Sequence, residues 1–475
     1  MSETPTDLNA EITLKEVGKV TFKYSFSKLL ISVTASILGI FSTRLLGPTE
    51  LGKLNVVTQV SSLLSILALF GMDVTLERFI SGNNDFNFKS DFYSAALKIV
   101  ISFLILVIII LWVTNKYLKL LPSEIDEIFP FFFLYCIIFL FYQLNLGMLR
   151  GLGKFNILPR IEFINDAPGR AISVVLLYVI GSSFKIVFFS TLFIQIIIFI
   201  IVLYILLPYI KLTAPLNIFT KKEIKFTGGV YFTLLISTAS MSVDVLLLRY
   251  FMNDRDVGIY SGGTRFTSIM QGMLLLPLQP TLLHYFSRLT NEKNRYSLFY
   301  FSTKYLAVFI GVISLLLFGF SQPIVTFILG KGYLESINVL RVSSLYLFSI
   351  SLATVWTPYL TSHNKPSLIG VFILIGLVIN LGLDVILIPR WSYNGAAIAS
   401  LISKFAIPFL MLIPLKLKYA QIKIFVYITL IFLTSVLISY QITFYLAPVI
   451  FIGSLFIFRI ITITEIDKVF KSLFH

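Results

Sequence analysis

Windows of about 20 apolar residues recur along the whole chain, and a helix of that length crosses a hydrocarbon core of about 30 Å. Because 57% of the 475 residues are hydrophobic and only 13% are charged, a soluble globular protein is excluded. The sequence instead predicts an all-α polytopic membrane protein. We count fourteen candidate spans, at residues 27–46, 51–72, 93–114, 128–148, 161–180, 186–207, 228–251, 257–284, 305–329, 337–360, 367–388, 395–415, 425–440 and 444–461.

The basic residues sort to alternate sides of these spans. Of the 38 Lys and Arg residues, 23 belong to the amino-terminal tail and the loops on its side, nine belong to the loops on the other side, and six lie within spans. Four bases near the ends of spans, Lys28, Arg44, Lys53 and Arg249, are counted with the adjoining tail or loop. Under the positive-inside rule this distribution places both termini in the cytoplasm. The net charge of +15 therefore follows from topology, and nucleic acid is not an expected partner.

Residues that build catalytic and metal sites are scarce. Cys136 is the only cysteine and lies in an apolar run, and the three histidines, His284, His363 and His475, are far apart in sequence. A disulfide framework and a cysteine-based metal site are excluded. We expect no enzymatic activity, no metal ion and no cofactor, because the usual metal and acid/base groupings are missing from the sequence.

The amino-terminal tail, residues 1–26, is polar and carries no apolar core with a cleavage site, so no signal peptide is expected. Leu8, Ile12 and Leu14 are spaced among charged residues. This spacing predicts a cytoplasmic interfacial helix over residues 7–26. A frayed polar tail is the alternative.

Two similar turn motifs indicate an internal repeat. RLLGPTELG follows the first span at residues 44–52, and RYFMNDRDVG follows the seventh at residues 249–258. An offset of six spans gives both copies the same orientation, as in transporters whose halves are related by an axis along the membrane normal. We therefore predict two pseudo-symmetric six-helix lobes, at residues 27–210 and 211–415, with a C-terminal helix pair and tail at 416–475 and a substrate path between the lobes. Chance similarity of short loop motifs is the alternative.

These and other turn motifs carry a family resemblance. They are the segment 44–52, Phe70-Gly-Met-Asp73 with Glu77-Arg78-Phe79, Gly258-Ile-Tyr260, and IPRWSYNGAAIA at 388–399. Over nearly its whole length the chain resembles the Wzx-type polysaccharide and O-antigen flippases of the multidrug/oligosaccharidyl-lipid/polysaccharide exporter (MOP) superfamily.

This resemblance implies translocation of a polyprenyl-(pyro)phosphate-linked oligosaccharide across the cytoplasmic membrane, by alternating access between the lobes. It places the protein in the biosynthesis of cell-surface polysaccharide. The partners that it implies are the lipid-linked oligosaccharide, the membrane lipids, and a glycan polymerase or glycosyltransferases of the same pathway.

Charged residues inside the spans are the candidate functional residues. An ionised side chain at the centre of a span costs about 2.5–3.5 kcal/mol on insertion scales, so it normally faces protein or water. Arginine suits a phosphate because its planar fork donates paired hydrogen bonds. The predicted cavity cations are Arg265, Lys404, Arg170, Arg341 and Lys28, of which the last two lie near enough to helix ends to snorkel. Lys28 is counted with the amino-terminal tail, and the other two of the six bases within spans are Lys98 and Arg459.

Four carboxylates are predicted as charge partners or coupling groups, namely Asp244, Asp166, Glu162 and Asp384. Each also has a structural alternative, a salt bridge on its own or a neighbouring helix. Glu162, Asp166 and Arg170 follow at intervals of four and so share one helical face. Pro168 and Gly169 lie beside them and predict a bending point in this helix. The structural pairs to test are Asp166 with Arg170, Asp244 with Arg265, and Asp384 with Arg390.

Two alternative functions remain open. A cation-coupled multidrug exporter of the same superfamily would need a mainly acidic cavity, whereas bases slightly outnumber acids within the spans. A membrane glycosyltransferase or polymerase would need a sizeable outer loop, and the outer loops are short. Tyr231 and Trp356 are the aromatic residues singled out for stacking on sugar rings.

Overall fold

The fold is described from a computed structural model, which covers residues 5–81, 83, 85–118, 123–126, 128–211, 213, 215, 218–289, 291–363, 366–415, 419–441, 443–458 and 460. Every regular element within these residues is helical. The predicted all-α fold class is confirmed. Arg459 and His475 lie outside the described residues.

The chain packs as two compact units, Met1–Leu246 and Leu247–His475. The lobe boundaries predicted from the repeat stay a prediction. The first unit holds α1 (Pro5–Leu69), α2 (Met72–Ser81), α3 (Phe86–Leu118), α4 (Ser123–Asp126), α5 (Phe129–Gly151), α6 (Leu158–Asp166), α7 (Pro168–Ile180), α8 (Phe184–Leu206) and most of α9 (Lys221–Phe251).

A sharp turn inside α1 separates the first two predicted spans. Gly47 has φ 74° and ψ 169°, which L side chains rarely adopt, and Pro48 restarts the helix. Glu50 accepts a 2.8 Å hydrogen bond from the backbone N–H of Phe184 at the start of α8. It also pairs with Lys53 at 2.8 Å. The glutamate of the 44–52 motif therefore caps a neighbouring helix.

The fifth predicted span is interrupted at Ala167, between α6 and α7. Pro168 has no backbone N–H to continue the helical hydrogen bonds, and its ring crowds the preceding turn. The bending point predicted at Pro168 and Gly169 therefore coincides with the one-residue irregularity between α6 and α7.

The short helix α2 lies against the end of α5 at very close range. An ideal Cβ placed on Gly147 would lie 2.2 Å from the carbonyl oxygen of Asp73, so this approach requires glycine. Leu76 and Ile80 of α2 are completely buried in the same apolar cluster as Met148 of α5. The packing holds α2 in place directly after the turn that ends α1.

The second unit contains the remaining helices. Its core includes Trp356, which is 1% exposed, and a stacked pair of Phe348 and Phe432 whose ring centroids are 4.2 Å apart. The helices are α10 (Asp254–Met270), α11 (Leu278–Arg288), α12 (Glu292–Gly319), α13 (Ser321–Ile324), α14 (Ser336–Ser362), α15 (Pro366–Leu415), α16 (Tyr419–Gln441) and α17 (Ala447–Ile457).

Nine helical stretches within the described part of the chain are long and apolar enough to cross a membrane. Two of them, Leu30–Leu69 and Leu368–Ile413, each contain two predicted spans, and α15 turns between its two spans at Ser392, with φ 48°. The last two predicted spans lie on the shorter apolar helices Phe425–Gln441 and Phe444–Ile457. The span at 257–284 falls on α10 and α11. The chain is a multi-pass membrane protein.

Candidate functional site

Lys404 lies on α15 within a membrane-spanning stretch of the second unit. Its Nζ donates to Ser400 Oγ at 3.4 Å and lies 4.0 Å from the centroid of the Tyr346 ring. Among the residues that the structure describes, no carboxylate lies within 4 Å of this ammonium group. A cation inside a span normally pairs with an acid or faces water. Here the negative face of an aromatic ring and a hydroxyl take the place of a counter-ion.

Three helices converge on this lysine. The Tyr260 hydroxyl of α10 lies 3.5 Å from Ser400 Oγ, and Thr267 Oγ1 lies 3.5 Å from the Tyr346 hydroxyl of α14. We call these five residues, Tyr260, Thr267, Tyr346, Ser400 and Lys404, the Lys404 cluster. It combines one positive charge with four hydroxyl groups, a composition suited to phosphate oxygens and sugar hydroxyls.

Arg265 lies on α10 and is partly exposed. Ser261 and Ser268 follow the i, i+4, i+7 pattern with Arg265, so the three share one face of the helix. Ser268 is exposed, and this face is therefore accessible. The predicted salt bridge to Asp244 joins residues of different units and stays a prediction.

Arg170 does not pair with Asp166, contrary to the structural alternative stated above. Its guanidinium Nη1 donates to the carbonyl oxygen of Ala35 on α1 at 2.7 Å. Asp166 accepts a 2.8 Å hydrogen bond from Asn165 Nδ2. The physical reason is that α1 packs against α7, which brings the carbonyl oxygen of Ala35 within reach of the guanidinium group. The cation of α7 therefore binds a neighbouring helix.

Lys28 belongs to an ion-pair network in the first unit. Its Nζ lies 3.6 Å from Glu162 Oε1, and Arg150 lies 3.9 Å from the same oxygen and 3.6 Å from Glu77 Oε2. Glu162 is buried, at 7% exposed. The carboxylate predicted as a partner thus binds bases from α1 and α5, which ties these helices to α6.

Arg341 is held by neutral groups near the start of α14. It donates to Ser321 Oγ at 3.0 Å, and its guanidinium carbon lies 4.0 Å from the ring centroid of Phe444. Phe444 belongs to the short turn before α17. Arg341 therefore connects α14 with the C-terminal helix pair, and no carboxylate within the described residues pairs with it.

The buried carboxylates Asp384 and Asp244 are 0% and 5% exposed. Asn380 Nδ2 donates to Asp384 Oδ2 at 3.0 Å, while Arg390, the partner suggested by the sequence, is exposed. The described residues contain no group of three or more His, Cys, Asp and Glu placed to hold a metal ion.

A family model described as "polysaccharide biosynthesis protein" matches residues 42–338. The chain belongs to the polysaccharide biosynthesis protein family. The family resemblance read from the turn motifs is confirmed. Comparison with the curated proteins gives no match.

Solved structures similar to this family member include a flippase and transporters of the MOP superfamily. The lipid II flippase MurJ in an inward closed conformation has a TM-score of 0.71 at 14% identity, over 96% of this chain and 99% of its own. An inward-facing multidrug resistance MATE family transporter has a TM-score of 0.66 at 13% identity, over 82% and 96%. A MOP superfamily transporter from Pyrococcus furiosus has a TM-score of 0.59 at 14% identity, over 83% and 94%. At these identities the likeness shows the fold, which is that of the MOP superfamily.

Several residues of interest were missed when only the charged residues within the predicted spans were considered. Tyr346 and Ser400 are neutral, and Arg150 was assigned to a loop. Lys304 was also assigned to a loop, yet it is 3% exposed within α12. Asn291 caps the start of that helix, because its side chain accepts a hydrogen bond from the backbone N–H of Lys293. Asparagine is a preferred N-cap residue, so the sequence contained a signal that the helix begins before Lys304.

Proposed function

We propose that this transporter translocates a polyprenyl-(pyro)phosphate-linked oligosaccharide across the cytoplasmic membrane, by alternating access, for the biosynthesis of a surface polysaccharide. The observation that carries the proposal is Lys404, a membrane-embedded ammonium group with no carboxylate within 4 Å among the described residues. An anionic head group would supply the missing negative charge, and the surrounding hydroxyls would bind phosphate or sugar oxygens.

The other span charges support an anionic substrate. Arg170 and Arg341 bind a carbonyl oxygen, a hydroxyl and an aromatic ring. Glu162, in contrast, is already neutralised by two bases. A multidrug exporter for cationic drugs would need a carboxylate such as Glu162 to be left to bind the substrate. The description of the family and the structural similarity to the lipid II flippase also favour a lipid-linked glycan as the substrate.

The test is translocation of a fluorescent polyprenyl-pyrophosphate disaccharide in proteoliposomes, measured by protection from a membrane-impermeant quencher. Lys404→Ala should lose translocation, and Lys404→Arg should keep part of it because the charge remains. The matched control is Lys331→Ala, which removes an exposed lysine outside the spans. Translocation by Lys404→Ala at the rate of the unaltered protein would overturn the site. Efflux of a cationic dye with no lipid translocation would favour the exporter.

We also propose that both termini face the cytoplasm, on the basis of the 23 to nine division of loop bases. Cysteines placed at Lys222 and Lys331 in a Cys136→Ser background should react with an impermeant maleimide from opposite sides of the membrane. Reaction of both from one side would contradict the proposed orientation.

A further inference from the structure

The start of α9 extends beyond the hydrocarbon core. Its 31 residues give the helix a length of about 46 Å at 1.5 Å per residue, and the core is about 30 Å thick. The span predicted from the sequence begins at residue 228, so the residues before it lie at the depth of the lipid head groups. Lys221, Lys222 and Lys225 are all exposed there. Their positive charges therefore lie next to the head groups.

The charge of these three lysines is not balanced by ion pairs within the described part of the chain. No carboxylate there lies within 4 Å of their ammonium groups. Glu223, the one acid of this segment, accepts hydrogen bonds from the backbone N–H of Thr220 at 2.9 Å and from the Thr220 hydroxyl. The glutamate is thus engaged at the start of the helix, and the lysines are left to bind an anion.

Open space follows the lysines along the same side of α9. Residues three and four apart are neighbours on a helix surface, so Lys225 is followed by Gly228 and Gly229, and these by Phe232. An ideal Cβ on either glycine meets no atom within 4 Å, and Phe232 is 52% exposed. We call this surface the α9 basic face, and its members are Lys221, Lys222, Lys225, Gly228, Gly229 and Phe232.

Another side of α9 packs against α2 and the turn before it. The hydroxyl oxygens of Thr75 and Thr227 lie 2.9 Å apart, and both residues are buried. The ring of Tyr231 lies 4.5 Å from the ring of Phe70. These contacts fix the rotation of α9 within the first unit and leave the α9 basic face exposed.

A phospholipid with an anionic head group matches the α9 basic face from one end to the other. Lysine ammonium groups bind phosphate oxygens. The glycines leave room for an acyl chain against the helix, and Phe232 lies about 10 Å from Lys225 along the helix axis, at the depth of that chain. The face has no hydroxyl or amide side chain to bind sugars, unlike the Lys404 cluster, so it favours a phospholipid over a lipid-linked oligosaccharide.

We propose that the α9 basic face binds an anionic glycerophospholipid of the surrounding membrane, with the phosphate on the lysines and an acyl chain across Gly228 and Gly229. This partner is a membrane lipid that is not transported. The proposal therefore goes beyond the proposed function and holds for any substrate.

Quenching by brominated lipids tests this site. Phe232→Trp places an indole ring beside the proposed acyl chain, and the unaltered protein, with its three tryptophans, supplies the background. In phosphatidylcholine vesicles, brominated phosphatidylglycerol should quench this indole at a lower mole fraction than brominated phosphatidylcholine. Changing Lys221, Lys222 and Lys225 together to Gln should remove the preference, by about fivefold for each lysine. Equal quenching by the two lipids would overturn the proposal.

The matched control removes three bases elsewhere. Arg288→Gln, Lys293→Gln and Lys331→Gln together change the net charge by the same amount at exposed positions of the second unit, and this variant should keep the preference. Gly228→Leu should weaken the quenching while the lysines are intact, because its side chain fills the open space. Loss of the preference in the control, or unchanged quenching in Gly228→Leu, would contradict the proposed site.

Competition distinguishes the possible sources of the phosphate. Unlabelled phosphatidylglycerol should restore the fluorescence, whereas inorganic phosphate, which has no acyl chain, should not. Restoration by the polyprenyl-pyrophosphate disaccharide at a mole fraction at which phosphatidylglycerol has no effect would assign the face to the transported lipid and overturn the proposal. None of these measurements requires translocation, so failure of this site is distinguishable from failure of the proposed function.

Discussion

The contact between α2 and α5 allows a sharp test of the fold through Gly147→Ala. The added methyl group would lie 2.2 Å from the carbonyl oxygen of Asp73 and 2.7 Å from its Cα, whereas real Cβ contacts stay beyond 3.0 Å. The neighbour is backbone and no side chain can rotate away. The substitution therefore requires α2 to move by about 0.8 Å, the difference between 3.0 and 2.2 Å.

The expected cost follows from two opposing effects. Overpacking costs about 1–3 kcal/mol, and a clash with backbone belongs near the upper end of that range. Replacing glycine by alanine in a helix stabilises the folded state by up to about 1 kcal/mol, because alanine has the higher helix propensity. We expect a net loss of about 2 kcal/mol, which lowers the unfolding temperature by several degrees.

Cys136 provides the assay, because it is the only cysteine of the chain and is 5% exposed on α5, the helix that carries Gly147. A maleimide that fluoresces on reaction with the thiol reports the exposure of Cys136 during heating in detergent. Gly453→Ala is the matched control, since no atom lies within 4 Å of its Cβ, and it should leave the unfolding temperature unchanged or slightly raised. Unfolding of Gly147→Ala at or above the temperature of this control would refute the packing argument.

Two further predictions concern single charges. Burial raises the pKa of Asp73, with a smaller opposing effect from Arg150. The native state therefore favours the protonated acid, and the stability that it contributes is lost as the pH rises through the raised pKa. Asp73→Asn should unfold at a higher temperature than the unaltered protein at pH 7. Intrinsic tryptophan fluorescence during heating should show that this difference in unfolding temperature disappears below about pH 4, the pKa of aspartate in an unfolded chain. A difference that does not change with pH would contradict this prediction. Arg341→Ala should cost about 1–2 kcal/mol, because it removes a hydrogen bond to Ser321 and the stacking on Phe444. Hydrogen exchange of residues 443–457 should then be faster, less so in Arg341→Lys. Loss of translocation with unchanged exchange would instead assign Arg341 to the substrate site.

Local patterns in the sequence were sufficient to predict the helices and several of their ends. Gly47 and Pro48 predicted the turn inside α1, and Pro168 predicted the weak point of the fifth span. These features act through the backbone of the residue itself or of its immediate neighbours, so they can be read without tertiary structure.

The partners of the span charges were not predictable in the same way. The spacing of Asp166 and Arg170 suggested an ion pair, but the carbonyl oxygen of Ala35 on α1 became the partner of Arg170. Lys28 pairs with Glu162, which is distant in the sequence and which the spacing of residues did not suggest as its partner. Such outcomes depend on how helices distant in sequence are rotated against each other.

The sequence by itself determined that this protein is a bundle of membrane-spanning helices and which charges lie within the spans. The physical reason is that hydrocarbon offers no hydrogen-bond partners for the backbone. An apolar segment long enough to cross it therefore forms a helix, in which the backbone groups bind one another. Only the tertiary structure decided that Lys404 rests on Tyr346 and Ser400, and that α2 packs against α9. Those contacts join residues that are close only once the helices pack, and packing depends on the shapes of side chains from several helices at once.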